Sequence, residues 1–459
     1  MALGACDAAT LTVPTAGYSI QNIIAVVESA ADGDIVEIGP GKWTNCSSPI
    51  TGRGLGITLT LTGAGMGTTI LDCELSNHIL SAVPDFDNWT IRELTILRSG
   101  SVTDAVETKG GVILVKPGSS ITFECVEMAE CARSGLSPAT YKGGAVHVNA
   151  NGYVGFINSI IRDSYTSGQG GAITMTNGAN VLFDNTTIAN CSADAGGAMR
   201  AAGGLLIIRD GGLLVTGCTA SQAGGILLRG ATLAGNGTIT LRNNVATTAD
   251  GGGISIETDR TNGTIGAIVA TGNSAAGCGG GVYWGNGAEL DVPGGVVSSG
   301  NTAMDGGGIC FAKGQKVEYV FLNSRSNMTG NTAIRYGGGV YVSTEATWMI
   351  MDGVTVTDNT ADDGSGVFVD SGGKNVKPRL FNMVITRNFS PNGGALALAH
   401  HSNSDVDTAG TVSCGNHGAN NEHVDVHCHG PSRLVNPLGM HTRGHMLSGV
   451  SHRLDWDSL

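Results

Sequence analysis

The stretch Gly143-Gly144-Ala145-Val146 returns as Gly170-Gly171-Ala172-Ile173 and again as Gly196-Gly197-Ala198-Met199. Variants of this tetrad continue along the chain at intervals of 26 to 31 residues, beginning at Gly224, Gly251, Gly279, Gly306, Gly337, Gly364 and Gly393. Ten occurrences at one period near 27 indicate a repeat architecture in which each repeat is one structural unit.

Each tetrad leads into a short run of strand-forming residues, such as Val282-Tyr283-Trp284 or Val340-Tyr341-Val342. A turn and a second short run follow, for example Leu380 to Ile385, and helical periodicity is absent from this region. Short strands at one period predict an all-β fold, a parallel β-helix of about 27 residues per coil. Each strand then pairs with the equivalent strand one coil away.

A polar residue precedes the tetrads by five to seven positions, usually as Asn in the context Gly300-Asn301-Thr302-Ala303. Adjacent coils lie about 4.8 Å apart, so equivalent residues stack and their amides can pair along the stack. We therefore predict corner glycines and a structural ladder of Asn190, Asn244, Asn273, Asn301, Asn331, Asn359 and Asn388.

The beginning of the chain has a different pattern. Apolar residues from Ser19 to Ala31 recur at helical spacing, and Asp32-Gly33-Asp34 ends the run. We expect a short helix that caps the open end of the solenoid. The predicted organisation is a cap and first coil over 1–48, the β-helix over 49–428, and a loosely ordered tail over 429–459.

Composition excludes several classes of protein. The chain has 73 Gly but 11 Pro among 459 residues, and its glycines do not recur at every third position as in collagen. A net charge of −13 without a Lys/Arg cluster argues against nucleic acid as a partner. No apolar run is long enough for a transmembrane segment, and no secretory signal is visible at the start.

Cysteine and asparagine spacing suggests covalent modification. Cys46 and Cys73 lie 27 residues apart, as do Cys191 and Cys218, so stacking brings each pair within disulfide reach. Buried free thiols explain the same spacing. Cys414 and Cys428 form a third candidate pair. Glycosylation sequons occur at Asn45, Asn88, Asn185, Asn190, Asn236, Asn262, Asn327 and Asn388.

Three stretches carry a family resemblance. Asp32 to Trp43 resembles the cap and first coil of pectin-lyase-like right-handed β-helix proteins, and Leu61 to Gly65 and Trp89 to Ile96 resemble their early coils. The units between Gly143 and Leu398 resemble repeats of chlamydial polymorphic outer-membrane proteins. The resemblance implies a single-stranded right-handed parallel β-helix that is secreted or lies at the cell surface.

Enzymes of this fold use clustered carboxylates on acidic polysaccharides, and Asp362-Asp363 with His417 resembles part of the polygalacturonase pattern. The repeat explains the aspartates without catalysis, because Met304-Asp305 and Ala249-Asp250 fill the same slot. His423, His427 and His429 are weak candidate metal ligands that match no recognised spacing. We expect no cofactor.

Two functions remain open. Uniform coils without a catalytic outlier favour a non-catalytic structural, adhesive or carbohydrate-contacting module, whose partner is a carbohydrate or a surface protein. The alternative is a polysaccharide lyase or glycoside hydrolase acting on an acidic or cell-wall polysaccharide. Its site would lie between Asp85 and Tyr141, where the tetrads are missing.

Overall fold

A computed structural model describes residues 8–51, 57–81, 88–101, 110–133, 142–258, 260–285, 288–311, 320–343, 349–370, 379–399, 405–407, 411–414, 416, 426–428 and 433–435. The chain divides into two compact units, unit 1 (Met1–Ala220) and unit 2 (Ser221–Leu459).

Unit 1 begins with the predicted capping helix, which is confirmed at Ile20–Ser29. The Ser19 hydroxyl accepts a hydrogen bond from the Gln21 backbone N–H at 3.2 Å and so satisfies one free donor of the first turn. Ile23 and Val27 are buried, one turn apart on the same helix face. A short 3-10 helix at Ala16–Tyr18 precedes it.

The strands of unit 1 pair in parallel, one coil with the next; Val146 lies opposite Ile173, and Ile173 opposite Met199. Sheet 1 contains Thr10–Thr12, Ile35–Glu37, Gly41–Trp43, Leu59–Thr62, Thr69–Asp72, Trp89–Leu97, Ser120–Ala129, Tyr153–Ile157, Ile160–Arg162, Asn180–Asp184, Thr186–Ala189, Leu205–Ile208 and Leu213–Thr216. Sheet 2 contains Ile113–Val115, Val146–Val148, Ile173–Met175 and Met199–Ala202. Sheet 3 contains Gly100–Ser101, Ala132–Arg133, Tyr165–Thr166 and Ser192–Ala195, and Ile50–Thr51 pairs with Leu80–Ser81.

The paired glycines lie at the sharp corner between sheet 3 and sheet 2. Gly170 has φ +67°, and a Cβ there would lie 2.1 Å from the Ile173 carbonyl oxygen. Gly171 has no unusual φ, but a Cβ on it would lie 2.0 Å from the Gly197 carbonyl oxygen of the next coil. The first glycine is therefore required by backbone conformation and the second by the close approach of stacked coils.

Unit 2 repeats the same plan with parallel pairing. Sheet 1 contains Thr232–Ala234, Thr238–Arg242, Asn262–Thr264, Ala267–Thr271, Glu289–Asp291, Val296–Ser299, Asn327–Thr329, Thr355–Thr357, Val384–Thr386 and Val412–Cys414. Sheet 2 contains Ile226–Arg229, Ile254–Glu257, Val282–Trp284, Ile309–Phe311, Val340–Val342, Val367–Asp370, Leu396–Ala399 and Val426–Cys428. Sheet 3 contains Val245–Ala246, Ser274–Ala275, Thr302–Asp305 and Thr332–Tyr336. Sheet 4 contains Val320–Leu322, Met349–Asp352, Arg379–Phe381, Asp405–Asp407 and Arg433–Val435.

A buried asparagine ladder runs along the corner between sheets 1 and 3 of unit 2. The Asn331 side-chain oxygen accepts from both the backbone N–H and the side-chain amide of Asn301, each at 3.0 Å. The Asn331 amide in turn donates to the side-chain oxygen of Asn359 at 3.0 Å and to the Ser298 carbonyl at 2.9 Å. The members, all buried, are Asn244, Asn273, Asn301, Asn331, Asn359, Asn388 and Asn416, of which the last was not predicted.

Asn190 is not part of such a ladder. It is exposed, with φ +53°, and its amide donates to the Asp163 carboxylate at 3.2 Å. The buried position after the turn in unit 1 is taken instead by the next residue, Cys191, and one coil later by Cys218. The prediction for Asn190 was wrong by one position because an exposed turn residue precedes the buried one.

The cysteines behave differently from one pair to the next. Cys46 and Cys73 form a disulfide bond, with Cα atoms 5.1 Å apart. Cys191 and Cys218 are buried free thiols, the second of the two explanations for their spacing, and the Cys191 N–H donates to the Cys218 sulfur at 3.4 Å.

Two further observations concern cysteines of unit 2. Cys414 and Cys428 lie in different sheets, and their side chains are outside the described part of the chain. A disulfide that spacing did not suggest, Cys278–Cys310, joins neighbouring coils across 32 residues.

The β-helical pairing continues past residue 428, where the predicted tail begins. Arg433–Val435 pairs in parallel with Asp405–Asp407. Of residues 429–459, the structure describes 433–435. Among the described residues of the whole chain, no helix has the length and apolar character needed to cross a membrane.

Candidate functional site

Unit 2 carries two adjacent columns of stacked side chains at the glycine corner. The first column precedes the corner glycines, and backbone bridges join Cys278 to Asp305, Asp305 to Tyr336, and Tyr336 to Asp363. The second column occupies the middle of the sheet 2 strands, where consecutive members lie in register. We call the two columns together the site strip: Asp250, Cys278, Asp305, Tyr336 and Asp363 in the first, and Ser255, Tyr283, Cys310, Tyr341 and Phe368 in the second.

Strand alternation places the second column on the outside of the coil. Val340 and Val342 point into the core and are fully buried, so Tyr341 between them lies on the opposite face of its strand. The same holds for Phe368 between Val367 and Val369. The side chains of the second column are therefore available for contact with the first.

Three aromatic rings form the centre of the strip. Tyr336 stacks on Phe368, with ring centroids 4.4 Å apart and planes inclined by 27°. Tyr341 lies 5.8 Å from Phe368 and 6.5 Å from Tyr336, again in stacked geometry. Phe368 is buried, whereas Tyr336 leaves 36% of its surface to solvent. The cluster therefore leaves Tyr336 partly open to solvent while its ring stacks on a buried neighbour.

Ion pairs flank the rings. The Arg335 guanidinium donates through two nitrogens to the Asp305 carboxylate, one of them at 3.1 Å, and lies 5.8 Å from the centroid of the Tyr336 ring. The Asp305 hydrogen bond raises the pKa of Arg335, which therefore keeps its charge. The Tyr341 hydroxyl donates to Asp370 at 3.3 Å. Charged groups thus surround the rings.

A second network lies near the Ser255 end of the strip. Glu257 accepts from the Arg229 guanidinium at 2.6 Å, from the Gln222 amide at 2.8 Å and from the Ser255 hydroxyl at 3.0 Å. Such a fully engaged carboxylate is held in one orientation.

Asp250 differs from the other carboxylates of the strip. Its side chain accepts from the Cys278 backbone N–H at 2.6 Å. Burial raises its pKa above the usual value, and the nearby charges of Glu257 and Asp305 raise it further. Burial also raises the pKa of Tyr283, with Asp250 and Glu257 adding to the effect. Tyr283 accordingly remains a neutral phenol.

The two aspartates singled out by sequence differ in burial and in hydrogen-bond partners. Asp362 is exposed and accepts from the side-chain amide of Asn392. Asp363 is buried and accepts from the Gly364 N–H at 2.8 Å. The two do not form a carboxylate pair, and Asp363 alone belongs to the site strip.

The histidine candidates fall outside the described residues. This applies to His417, His423 and His429, and to the side chain of His427, whose backbone lies in Val426–Cys428. Among the residues that the structure does describe, no group of three or more His, Cys, Asp or Glu side chains could hold a metal ion.

The sequons differ in their exposure. Asn388 is buried in the asparagine ladder, where its amide donates to Asn416 at 3.1 Å, so it is closed to glycosylation. Asn327 is half-buried. The side chains exposed to solvent are those of Asn45, Asn88, Asn185, Asn190, Asn236 and Asn262.

The segment proposed for an enzyme site, 85–141, is described only in part. Its described residues include the two long strands Trp89–Leu97 and Ser120–Ala129, which pair along most of their length. Unit 1 also contains a shallow cleft of about 270 Å³ beside the Cys46–Cys73 bond. The one buried carboxylate lining it, Asp72, is already paired with Lys42 and Arg98.

The strip has a sequence signal that single motifs do not reveal. Its two columns lie five residues apart in every coil, as in Asp305 and Cys310 or Tyr336 and Tyr341. Because the repeat by itself explains an aspartate before the corner glycines, the sequence did not single out Asp250 and Asp305 as site residues. Comparing the same two positions across the coils would have found the column.

We compared the chain with protein-family models, with curated proteins and with solved structures. A family model described as a right handed beta helix region matches residues 81–318. No curated protein matches the chain by sequence.

Among solved structures, the chain is similar to three polysaccharide-related proteins. The catalytic unit of a GH87 α-1,3-glucanase from Streptomyces thermodiastaticus is 12% identical over 94% of this chain and 70% of that chain, with a TM-score of 0.38. A mannuronan C-5 epimerase A-module from Azotobacter vinelandii is 14% identical over 91% and 93%, with a TM-score of 0.31. A PL6 family polysaccharide lyase from Pseudopedobacter saltans is 10% identical over 88% and 92%, with a TM-score of 0.35.

These structural likenesses assign no activity to this chain. The family model covers more than half of the sequence, and the parallel pairing of strands from one coil to the next agrees with its description. The chain therefore belongs to the right-handed β-helix family.

Proposed function

We propose that the protein is a secreted or cell-surface β-helix that contacts carbohydrate through the site strip, without catalysis. The observation that carries the proposal is the position of Tyr336. This residue is partly exposed, and its ring stacks on that of Phe368 with the two centroids 4.4 Å apart. A rigid ring of this kind offers an apolar face to the C–H side of a sugar at little entropic cost.

The polar groups around the ring suit the same ligand. Carboxylates such as Asp305 and Asp370 accept hydrogen bonds, and the Arg335 guanidinium donates them, so sugar hydroxyls find both kinds of partner. Stacked coils space successive members of the two columns about 4.8 Å apart, and such a row of side chains suits an extended polymer more than a single small molecule.

A panel of soluble polysaccharides, assayed by isothermal titration calorimetry against the purified protein, tests the proposal. We expect saturable binding to at least one glycan, with no rise in reducing ends or unsaturated products. A panel with no binding would contradict carbohydrate contact.

One observation favours the second candidate, a polysaccharide lyase or glycoside hydrolase. Hydrolysis of a glycoside requires one carboxylic acid that keeps its proton beside a charged carboxylate. Burial raises the pKa of Asp250 and Glu257 raises it further, while Glu257 itself accepts three side-chain hydrogen bonds, so the two carboxyl groups lie in different environments. Depolymerisation that the Asp250→Asn variant abolishes would support this candidate over the non-catalytic module.

The adhesive role belongs to the same proposal. The resemblance of the Gly-Gly repeats to those of chlamydial surface proteins supports a position at the cell surface, as do the exposed sequons. A surface protein as partner would then be reached through its glycans.

A further inference from the structure

Two buried thiols of unit 1 lie at the same position of the repeat in consecutive coils. The strands before them pair in parallel with Ala189 opposite Thr216, and each cysteine follows two residues after its member of this pair. The Thr219 N–H donates to the Cys191 carbonyl at 2.9 Å, so the pairing of the two coils continues past the turn. Cys191 and Cys218, 27 residues apart, are therefore stacked one coil on the other.

The two side chains face each other inside the corner. The Cys218 sulfur accepts from the Cys191 backbone N–H at 3.4 Å, and the two thiols are hydrogen-bonded to each other. Both residues are buried. In unit 2 the asparagines of the ladder join their coils in the same way, through a side-chain oxygen that accepts from the backbone N–H of the preceding coil. Sulfur atoms take this coil-joining role in unit 1.

This arrangement meets the distance requirement of a disulfide bond. Stacked positions in adjacent coils lie about 4.8 Å apart, and a disulfide needs Cα atoms roughly 4.4 to 6.8 Å apart. Unit 1 already contains a bond of this kind, Cys46–Cys73, which also spans 27 residues and has its Cα atoms 5.1 Å apart. The stacking of the coils therefore allows a bond between Cys191 and Cys218 as well.

Burial makes the pair slow to react in the folded protein. The thiolate is the form that attacks a disulfide. Burial raises the pKa of Cys191 well above its ordinary value, and the hydrogen bond with Cys218 raises it further. Neither sulfur is exposed, so an oxidant reaches the pair only when the corner opens locally. The same burial protects the bond from reductants once it has formed.

We propose that Cys191 and Cys218 form a redox-sensitive clasp in unit 1, with two free thiols under reducing conditions and a disulfide between consecutive coils under oxidising conditions. The oxidant is a small disulfide such as oxidised glutathione. One cysteine loses its proton and attacks, which gives a mixed disulfide and one reduced glutathione. The second cysteine then loses its proton and displaces the other glutathione, so two thiols and one oxidised glutathione become one protein disulfide and two reduced glutathiones. The clasp does not depend on the proposed carbohydrate contact.

A third buried thiol provides a matched control. Cys131 lies in the same column as the clasp, but its neighbours one coil away are Ser99 and Ser164. It has the same burial without a stacked thiol and should stay reduced. The two serines also show that the column accepts a hydroxyl, so we expect Cys191→Ser and Cys218→Ser to fold.

Incubation of the folded protein in glutathione buffers of different redox ratio tests the clasp, with and without urea below the unfolding midpoint. Remaining thiols are alkylated after denaturation, and peptide mapping locates each bond. We expect a linked Cys191–Cys218 peptide that appears with oxidised glutathione and is lost with reduced glutathione. It should form at least about tenfold faster in urea, because urea favours local opening. Cys131 should be alkylated in every sample.

Stability gives a second readout. Closing the clasp should lower the equilibrium constant for unfolding about a hundredfold, measured by chemical denaturation of the oxidised and reduced protein. Cys131→Ser should keep this difference, whereas Cys191→Ser and Cys218→Ser should lose it. Alkylation of both clasp thiols at every redox ratio, a bond from either to another cysteine, or an undiminished difference in the Cys191→Ser variant would overturn the proposal.

Discussion

The ring of Tyr336 lies on that of Phe368, 4.4 Å between centroids, although the two residues belong to consecutive coils and lie on opposite sides of the glycine corner. Tyr336 ends Thr332–Tyr336 in sheet 3, and Phe368 lies within Val367–Asp370 in sheet 2. The contact is possible because the corner glycines carry no side chains between the columns. An exposed ring is thereby fixed in place.

This contact predicts a specific loss of binding. Tyr336→Ala should weaken glycan affinity about tenfold, because it removes the exposed part of the stacking surface, while Tyr336→Phe should retain most of it. Calorimetry measures both. Tyr165→Ala, which removes an equally exposed tyrosine of unit 1, is the control and should bind as the unchanged protein does. Equal losses in the two alanine variants would contradict a role for the strip.

The asparagine ladder predicts a large stability effect from one amide. Asn331→Ala leaves the buried N–H and side-chain amide of Asn301 without their acceptor, and we expect a loss of about 2–4 kcal/mol. Chemical denaturation followed by circular dichroism measures the change. Asn236→Ala, at an exposed position, should cost less than about 0.5 kcal/mol. A similar cost for both variants would argue against the ladder as a source of stability.

The Cys278–Cys310 bond predicts a coupling between stability and binding. Replacing both cysteines with alanine should cost roughly 3–4 kcal/mol and should also lower glycan affinity, because the bond fixes Cys310, which packs against Tyr341 in the site strip. Thermal unfolding and calorimetry check the two effects. The matched change of Cys46 and Cys73 should cost similar stability but leave affinity unchanged; a drop in affinity there would refute the coupling.

Because the pKa of Asp250 is raised, we expect the stability of the protein to fall as the pH rises. Its pKa is raised in the folded protein, so its contribution is present at pH below the pKa of the unfolded chain and is lost as pH rises through the folded value. Asp250→Asn should therefore raise the unfolding temperature at pH 7 and leave it unchanged near pH 3. A variant that is less stable at pH 7 would show that the charged form is favoured in the fold.

For Asp72 we expect the opposite dependence, a stability that falls as the pH is lowered. Burial acts to raise its pKa, but the hydrogen bonds from Arg98 and Lys42 outweigh burial and hold the pKa below its usual value. Its contribution is present above the unfolded pKa near 4 and is lost as pH falls through the lowered folded value. Asp72→Asn should cost about 1–3 kcal/mol at pH 7 and little at pH 2. A pH-independent cost would exclude the ionic contribution.

Sequence alone determined the period, the corner glycines and the capping helix, because in a solenoid every residue stacks on its own counterpart and a requirement at one coil recurs in the next. Tertiary structure decided which of two neighbours faces inward. A shift of one residue reverses the face, so Cys191 rather than Asn190 is buried, and Asp363 rather than Asp362 joins the strip. It also decided the contacts across the corner, Tyr336 with Phe368 and Cys278 with Cys310, because these join residues at different positions of the repeat, which a constant period does not relate.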